Sequence, residues 1–173
     1  MTAQFPEVLI LDGQKHALCT EPLARYLRSA SIDRVFRPSN SACWRGYIGT
    51  WEVVEDRLCL TAIEGNLKSG EIANLETIFP NATGPVFAHW FSGVLRIPQG
   101  EVLEYVHGGY ESTYERDLLL QFEAGVLVSR QIKVNGIAKN VEAEAPSPQR
   151  NVLGWLLRSL RSFFRATFRR SLH

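Results

Sequence analysis

Short turn signals recur between apolar runs along most of this chain, and they constrain its fold more than any other feature. Asp12-Gly13 follows the apolar residues 8–11, and an Asp-Gly pair suits the positive φ angles of a two-residue hairpin turn. Later turn signals are Glu55-Asp56, Pro98-Gln99-Gly100 and Glu123-Ala124-Gly125. Successive hairpins predict an α+β fold with a mainly antiparallel, strand-rich sheet that is curved or barrel-like.

The turn signals place the strands of four hairpins. We expect the first hairpin over residues 8–18 and the second over 44–63. The third is expected over 86–107 with its turn at 98–100, and the fourth over 115–135.

Two short helices are expected between these strands. Thr20 is a candidate N-cap, and Pro22 suits the first turn of a helix that continues to about Ser29. A second helix is predicted over 71–79, where apolar residues recur at helical spacing until Pro80.

Charge divides the chain into two parts. Residues 1–149 hold all 18 acidic residues beside 13 Lys or Arg, whereas residues 150–173 hold 6 Arg and no acid. Residues 142–150 are rich in Glu, Ala and Pro and fit neither a strand nor a helix pattern. We therefore expect a strand-rich domain over 1–141, a linker over 142–150 and a separate C-terminal segment over 151–173.

The C-terminal segment has the pattern of a basic amphipathic helix. Leucines and phenylalanines share one arc of a helical wheel, Trp155 lies at its edge, and arginines lie opposite. Those arginines are Arg158, Arg161, Arg165 and Arg169. Such a helix packs on its own domain, lies on an anionic membrane surface or enters a groove of a protein partner. Nucleic acid is not expected as a partner because the rest of the chain is acidic.

The cysteines and the N-terminus are informative about disulfides, metals and cellular location. Cys19, Cys43 and Cys59 are odd in number and lack the close spacing of zinc motifs, so we expect neither a disulfide framework nor a metal. No phosphate-binding or dinucleotide motif predicts a cofactor. Without a signal peptide or a long apolar run, the expected location is the cytoplasm, with attachment to the inner face of the membrane as an option.

Polar and aromatic residues concentrate on either side of the turn expected at 98–100. That turn would place Trp90 opposite His107 and bring His89 close to His107. His107 would then act as general acid or base, oriented by Glu104 or Glu111. The alternative is that both histidines are ordinary strand residues without a catalytic role.

Two further sets of candidates come from the same regions. Cys43 lies two residues before Arg45, so it is either a nucleophile with a lowered pKa or a buried thiol. The candidate binding residues are the aromatic side chains Trp90, Tyr105, Tyr110 and Tyr114. They would line a pocket or form an interface with another protein.

Three blocks of this sequence resemble an uncharacterised family of small bacterial proteins. The blocks are ACWRGYIGTWE at 42–52, WFSGVLRIPQG at 90–100 and LEYVHGGYESTYE at 103–115. The resemblance covers about residues 5–135 and implies a soluble bacterial protein, but it supplies no activity. The arginine-rich C-terminal segment lies outside it.

These observations favour a protein-interaction module, either regulatory or toxin-neutralising. An acidic domain attracts a basic partner, and exposed Tyr and Trp are effective anchors at interfaces. One alternative is a small-molecule-binding or hydrolytic enzyme that uses a His, Tyr and Glu pocket. Another is a peripheral membrane protein held by residues 151–173.

Overall fold

Strands dominate the computed structural model, which describes residues 2–32 and 35–138. In chain order they are β1 (Glu7–Leu11), β2 (Gln14–Leu18), β3 (Phe36–Arg37), β4 (Tyr47–Val54), β5 (Arg57–Leu67), β6 (Ile72–Ala73), β7 (Val86–Phe87), β8 (Gly93–Glu104), β9 (Thr113–Glu123) and β10 (Val126–Val134). The helices of this part are α1 (Pro22–Ser29) and α2 (Leu75–Ile78). The strand-rich fold with few helices that the turn signals predict is confirmed. Residues 139–173, with the predicted linker and the C-terminal helix, lie outside the described residues.

The strands form one mixed sheet in the order β2-β1-β4-β5-β10-β9-β8, and the short β3, β6 and β7 pair with β5. Most neighbours are antiparallel, but β1 and β4 are parallel, with Leu9 opposite Trp51. The sheet is not closed into a barrel. Its end strands meet only where the chain leaves β2, since the Cys19 amide donates to the Arg96 carbonyl on β8 at 2.9 Å.

Three of the four expected hairpins are confirmed, and each turn has the backbone geometry that its residues favour. The positive φ angles are 51° and 76° at Asp12-Gly13, 49° and 60° at Glu55-Asp56, and 47° and 81° at Ala124-Gly125. Such angles match the right-handed twist of the flanking strands. Local turn chemistry therefore determines β1–β2, β4–β5 and β9–β10.

The prediction of a turn at 98–100 is wrong. β8 continues through these residues, and Pro98 lies opposite Asp117 of β9. Proline is tolerated there because β8 is the last strand of the sheet, where a missing amide need not break a ladder hydrogen bond. Gly100, with φ 81°, takes up a bulge rather than a reversal of the chain.

The first helix is confirmed, but its cap is not the one expected. Glu21 occupies the N-cap position and makes no side-chain capping bond. The Thr20 hydroxyl instead accepts a hydrogen bond from the Arg96 amide at 3.1 Å. Thr20 therefore joins the start of α1 to β8.

The second helix is much shorter than predicted. Residues 72 and 73 pair with β5 as a strand, and only the four residues Leu75–Ile78 are helical. Asn74 causes this break, since it caps α2 by accepting from the Thr77 amide at 2.9 Å. Ile72 consequently points away from the core and is 70% exposed. Within the described ranges no helix has the length and apolarity needed to cross a membrane.

Large apolar side chains from α1 and from most of the long strands fill the core. Those without any exposed surface include Leu9, Leu18, Leu23, Trp51, Leu58, Leu60, Leu95, Ile97, Leu120 and Phe122. Burying one such side chain contributes about 1.5–3 kcal/mol. The β8–β9 pairing thus lies partly over this core, while its far end, beyond Ile97, extends past it.

Two glycines with similar backbone angles provide a test of the packing beneath the β9–β10 turn. A Cβ atom at Gly125 would lie 2.6 Å from the Ala88 carbonyl oxygen, whereas one at Gly13 would meet nothing within 4 Å. We expect Gly13→Ala to lower the free energy of unfolding by about 1–2 kcal/mol through its positive φ. Gly125→Ala should lower it by at least about 1 kcal/mol more, because the added methyl overpacks the site. Urea unfolding of both variants measures the difference, and equal losses would contradict the contact with Ala88.

Candidate functional site

The two candidate histidines have separate surroundings. His89 lies in the turn after β7, is exposed, and has its ring 5.3 Å from that of Trp90. His107 lies between β8 and β9, is also exposed, and has its Nδ1 atom 3.1 Å from the Tyr105 hydroxyl. The hairpin that would place them opposite each other does not form, because β8 does not turn at 98–100.

The other two catalytic candidates also lie apart from the histidines. Cys43 is buried, and its Sγ donates a long hydrogen bond of 3.5 Å to the Tyr47 carbonyl. Glu104 is exposed at the end of β8, opposite Thr113. No group of three or more His, Cys, Asp or Glu residues within 2–32 and 35–138 is arranged to hold a metal ion.

The four candidate binding aromatics differ in how much of each side chain solvent can reach. Trp90 packs against Tyr26 and Phe79, with ring centroids 4.7 and 5.5 Å away, and its indole donates to a backbone carbonyl. Tyr110 and Tyr114 are partly buried. Tyr105 is different, since it is 66% exposed. It is the one of the four that is presented mainly to solvent.

A buried polar cluster that the sequence analysis did not identify lies beneath β1 and β4. Glu7 has no exposed surface, and its Oε2 atom accepts a 2.5 Å hydrogen bond from the Trp51 indole. Its other oxygen lies 3.4 Å from Nε of Arg45, whose side chain is also buried. The signal was available in β1, because Glu7 alternates with the buried Leu9 and Leu11 and so shares their face.

Arg45 extends this cluster to the loop between β8 and β9. Its Nη1 atom donates to the Tyr110 hydroxyl at 2.9 Å and lies 3.5 Å from the Glu21 carboxylate. The Tyr110 hydroxyl is 3.0 Å from the Phe5 carbonyl and 3.1 Å from the Glu21 carboxylate, and it donates a hydrogen bond to either of them. One guanidinium therefore connects the N-terminal segment, the start of α1 and residue 110.

Burial dominates the proton equilibria of this cluster. It raises the pKa of Glu7 to about 8, although Arg45 and the Trp51 indole both lower it. Burial likewise raises the pKa of Tyr47, whose hydroxyl has no hydrogen-bond partner among the described residues. A Cβ atom at Gly49 would lie 2.8 Å from both the Glu7 carboxyl and the Trp51 indole, so no space remains there for a substrate. The cluster holds segments of the fold together rather than forming a reaction site.

Arg96 of β8 holds the same loop from a second side. Its Nε atom donates to Asp117 at 2.8 Å, and its Nη1 and Nη2 atoms donate to the carbonyls of Tyr110 and Ser112 at 2.6 and 2.8 Å. Ser112 in turn bonds to the backbone of Val106. The loop of residues 105–112 is thus fixed by two arginines.

The last residues of β8 and this fixed loop carry exposed side chains that we call the ribbon end. It comprises Glu101, Val102, Glu104, Tyr105, His107 and Glu111. Tyr105 and Val102 are 66% and 47% exposed. None of the ion pairs within the described part of the chain involves the three carboxylates. The ribbon end therefore combines unpaired negative charge with apolar surface.

A groove of about 560 Å³ lies elsewhere, between α1 and the segment that follows α2. Its lining comprises Tyr26, Ile78, Phe79, Pro80, Asn81, Ala82, Thr83, Gly84, Pro85 and Val86. The phenol of Tyr26 is the one ionisable side chain in that lining. The groove is concave, but its lining lacks the acidic and basic side chains that hydrolysis needs.

The pKa of Glu7 predicts a pH effect on stability. Because the folded carboxyl binds its proton more tightly than an unfolded one of ordinary pKa 4.5, stability is greatest below that value and falls as pH rises toward 8. We expect wild type to lose up to about 1.4 kcal/mol per pH unit relative to Glu7→Gln, which keeps an acceptor for Trp51 but does not titrate. Urea unfolding across this range measures both proteins, and parallel curves would contradict the raised pKa.

Comparison with known proteins adds no family or function to this geometry. The chain has no match among protein-family models, curated proteins or solved structures. The resemblance to small bacterial proteins thus rests on its three sequence blocks alone. Function has to be argued from the surface that the fold presents.

Proposed function

We propose that this protein is an interaction module that binds a basic segment of another protein through the ribbon end. The observation that carries the proposal is the two-thirds exposure of Tyr105 in a stretch of chain whose exposed carboxylates, Glu101, Glu104 and Glu111, make no ion pair with a described residue. Aromatic side chains are frequent anchors of interfaces, and carboxylates around them attract basic partners and orient them.

The hydrogen bonds that hold the loop beneath the ribbon end favour binding. Arg96 and Arg45 hold the loop 105–112 by hydrogen bonds to Tyr110 and to the Ser112 carbonyl. A surface that is already ordered loses less conformational entropy when its partner binds. The free energy of contact is then available for affinity.

The alternative functions have less support. An enzyme that uses His107 would need a cavity around that residue, but His107 and Glu104 are both exposed at the ribbon end. Attachment to a membrane depends on residues 151–173, outside the described part of the chain. A regulatory or toxin-neutralising role fits the proposed module equally well, and the identity of the partner decides between them.

Substitutions at the ribbon end test the proposal. We expect Tyr105→Ala to raise the Kd for the partner at least about tenfold, because it removes the central aromatic anchor. Glu104→Lys should also weaken binding and reduce its dependence on salt, because it reverses one of the attracting charges. The partner is first isolated from host lysate on immobilised wild type, and its affinity is then measured by calorimetry.

A matched control separates this surface from exposed apolar surface in general. Ile72→Ala removes a side chain that is 70% exposed on β6, away from the ribbon end. Its affinity should equal that of wild type. Unchanged affinity in both Tyr105→Ala and Glu104→Lys would refute the ribbon end as the binding surface.

A further inference from the structure

β10 has an open edge although it lies in the middle of the strand order. It pairs with β9 on both sides of a bulge at Val128, but it meets β5 at a single residue pair, Val126 opposite Arg57. Beyond that point residues 128–134 have a strand on one side only, as far as the described residues show. Within 2–32 and 35–138, no strand lies opposite the hydrogen-bonding groups on the other side of these residues, and an unpaired edge of this kind can accept a strand.

The strands β10, β9 and β8 form a three-stranded ribbon at one end of the sheet, and its opposite edge, β8, differs from the edge of β10. On β8, Pro98 lacks an amide, and the register shifts on both sides of Val102. Prolines and bulges are the usual means by which proteins prevent an edge from pairing. β10 contains neither proline nor glycine, and its pairing with β9 is regular from Ser129 to Val134. It is the edge of the ribbon suited to accept a strand.

We propose that a second copy of this chain pairs with this edge, antiparallel and centred on Gln131. This register places Gln131 opposite Gln131 of the second copy, pairs the regular residues 129–133 with one another and brings Val134 to Val128, the residue at the bulge of β10. Val128 then lies opposite Val134 at both ends of the pairing. The two valines are 50% and 68% exposed in the single chain, so each end of the pairing removes apolar surface from water.

Charge disfavours two neighbouring registers. Arg130 and Lys133 are the charged residues of the segment, and they face Ile132 and Ser129 of the second copy. A shift of one residue would place Arg130 opposite Lys133. A register centred on Arg130 would place the two copies of Arg130 opposite each other. Each of these like-charge pairs would destabilise the pairing. Arg130 also lies 3.4 Å from Asp12 of its own chain, which offsets its charge.

Disulfide trapping tests the register directly. Residues directly opposite in an antiparallel pair have Cα atoms about 4.5–5.5 Å apart, a distance that a disulfide spans. We expect full-length Gln131→Cys to form a covalent dimer on mild oxidation. Lys133→Cys, equally exposed but opposite Ser129, should form little, and wild type controls for the native cysteines. Trapping at residue 133 instead of 131 would overturn the proposal.

Sedimentation of the unmodified full chain tests the dimer itself. We expect a concentration-dependent dimer whose Kd rises at least tenfold in Val134→Lys, since that change places charges at both ends of the pairing. Ile72→Lys, at a comparably exposed site on β6, should leave the Kd unchanged. A monomeric mass at every concentration, or an equal Kd in Val134→Lys and wild type, would overturn the proposal.

Discussion

The buried carboxyl of Glu7 is the constraint on which much of this structure depends. A charged or polar group without exposed surface costs several kcal/mol unless it is paired, so the fold must bring partners to it. The Trp51 indole donates a 2.5 Å hydrogen bond to one oxygen, and Nε of Arg45 lies 3.4 Å from the other, close enough for an ion pair but without a hydrogen bond. Arg45 then binds the Tyr110 hydroxyl, which fixes one side of the loop 105–112. The buried carboxyl in β1 needs a partner, and that partner, Arg45, also holds the loop that leads to the exposed ribbon end.

The features that the sequence predicted correctly are the local ones. Asp12-Gly13 and the turns at 55–56 and 124–125 adopt positive φ angles because of their own residues, whatever surrounds them. The turn expected at 98–100 does not form. Pro98 lies in an edge strand, where proline is tolerated, and the sequence alone does not show which strand lies at an edge. The helix expected over 71–79 failed because the capping by Asn74 outweighed apolar spacing. The first failure concerns tertiary position, which periodicity does not encode, and the second concerns a local cap, which apolar spacing does not take into account.

The candidate site was predicted less well than the fold, for a related reason. The sequence singled out the polar and aromatic residues of 104–111 as a group, but whether each side chain points inward depends on the conformation of the loop between β8 and β9. Tyr110 joins the buried cluster while Tyr105, five residues earlier, faces solvent. Glu7 was overlooked because acidic residues are rarely buried, although its alternation with Leu9 marked it as inward-facing.

Exposed apolar side chains are unevenly distributed over the described residues, and their distribution argues for contact with other chains. Of the eleven large hydrophobic residues with substantial exposure, eight lie on β8, β9, β10 or the residues that adjoin these strands. The core does not need them, because Trp51 and Phe122 are completely buried without their help. Single exposed apolar residues are common in monomers, whereas their concentration on one element indicates an interface. Both surfaces that we propose for partners, the acidic ribbon end around Tyr105 and the edge of β10, lie on these three strands and the residues that adjoin them.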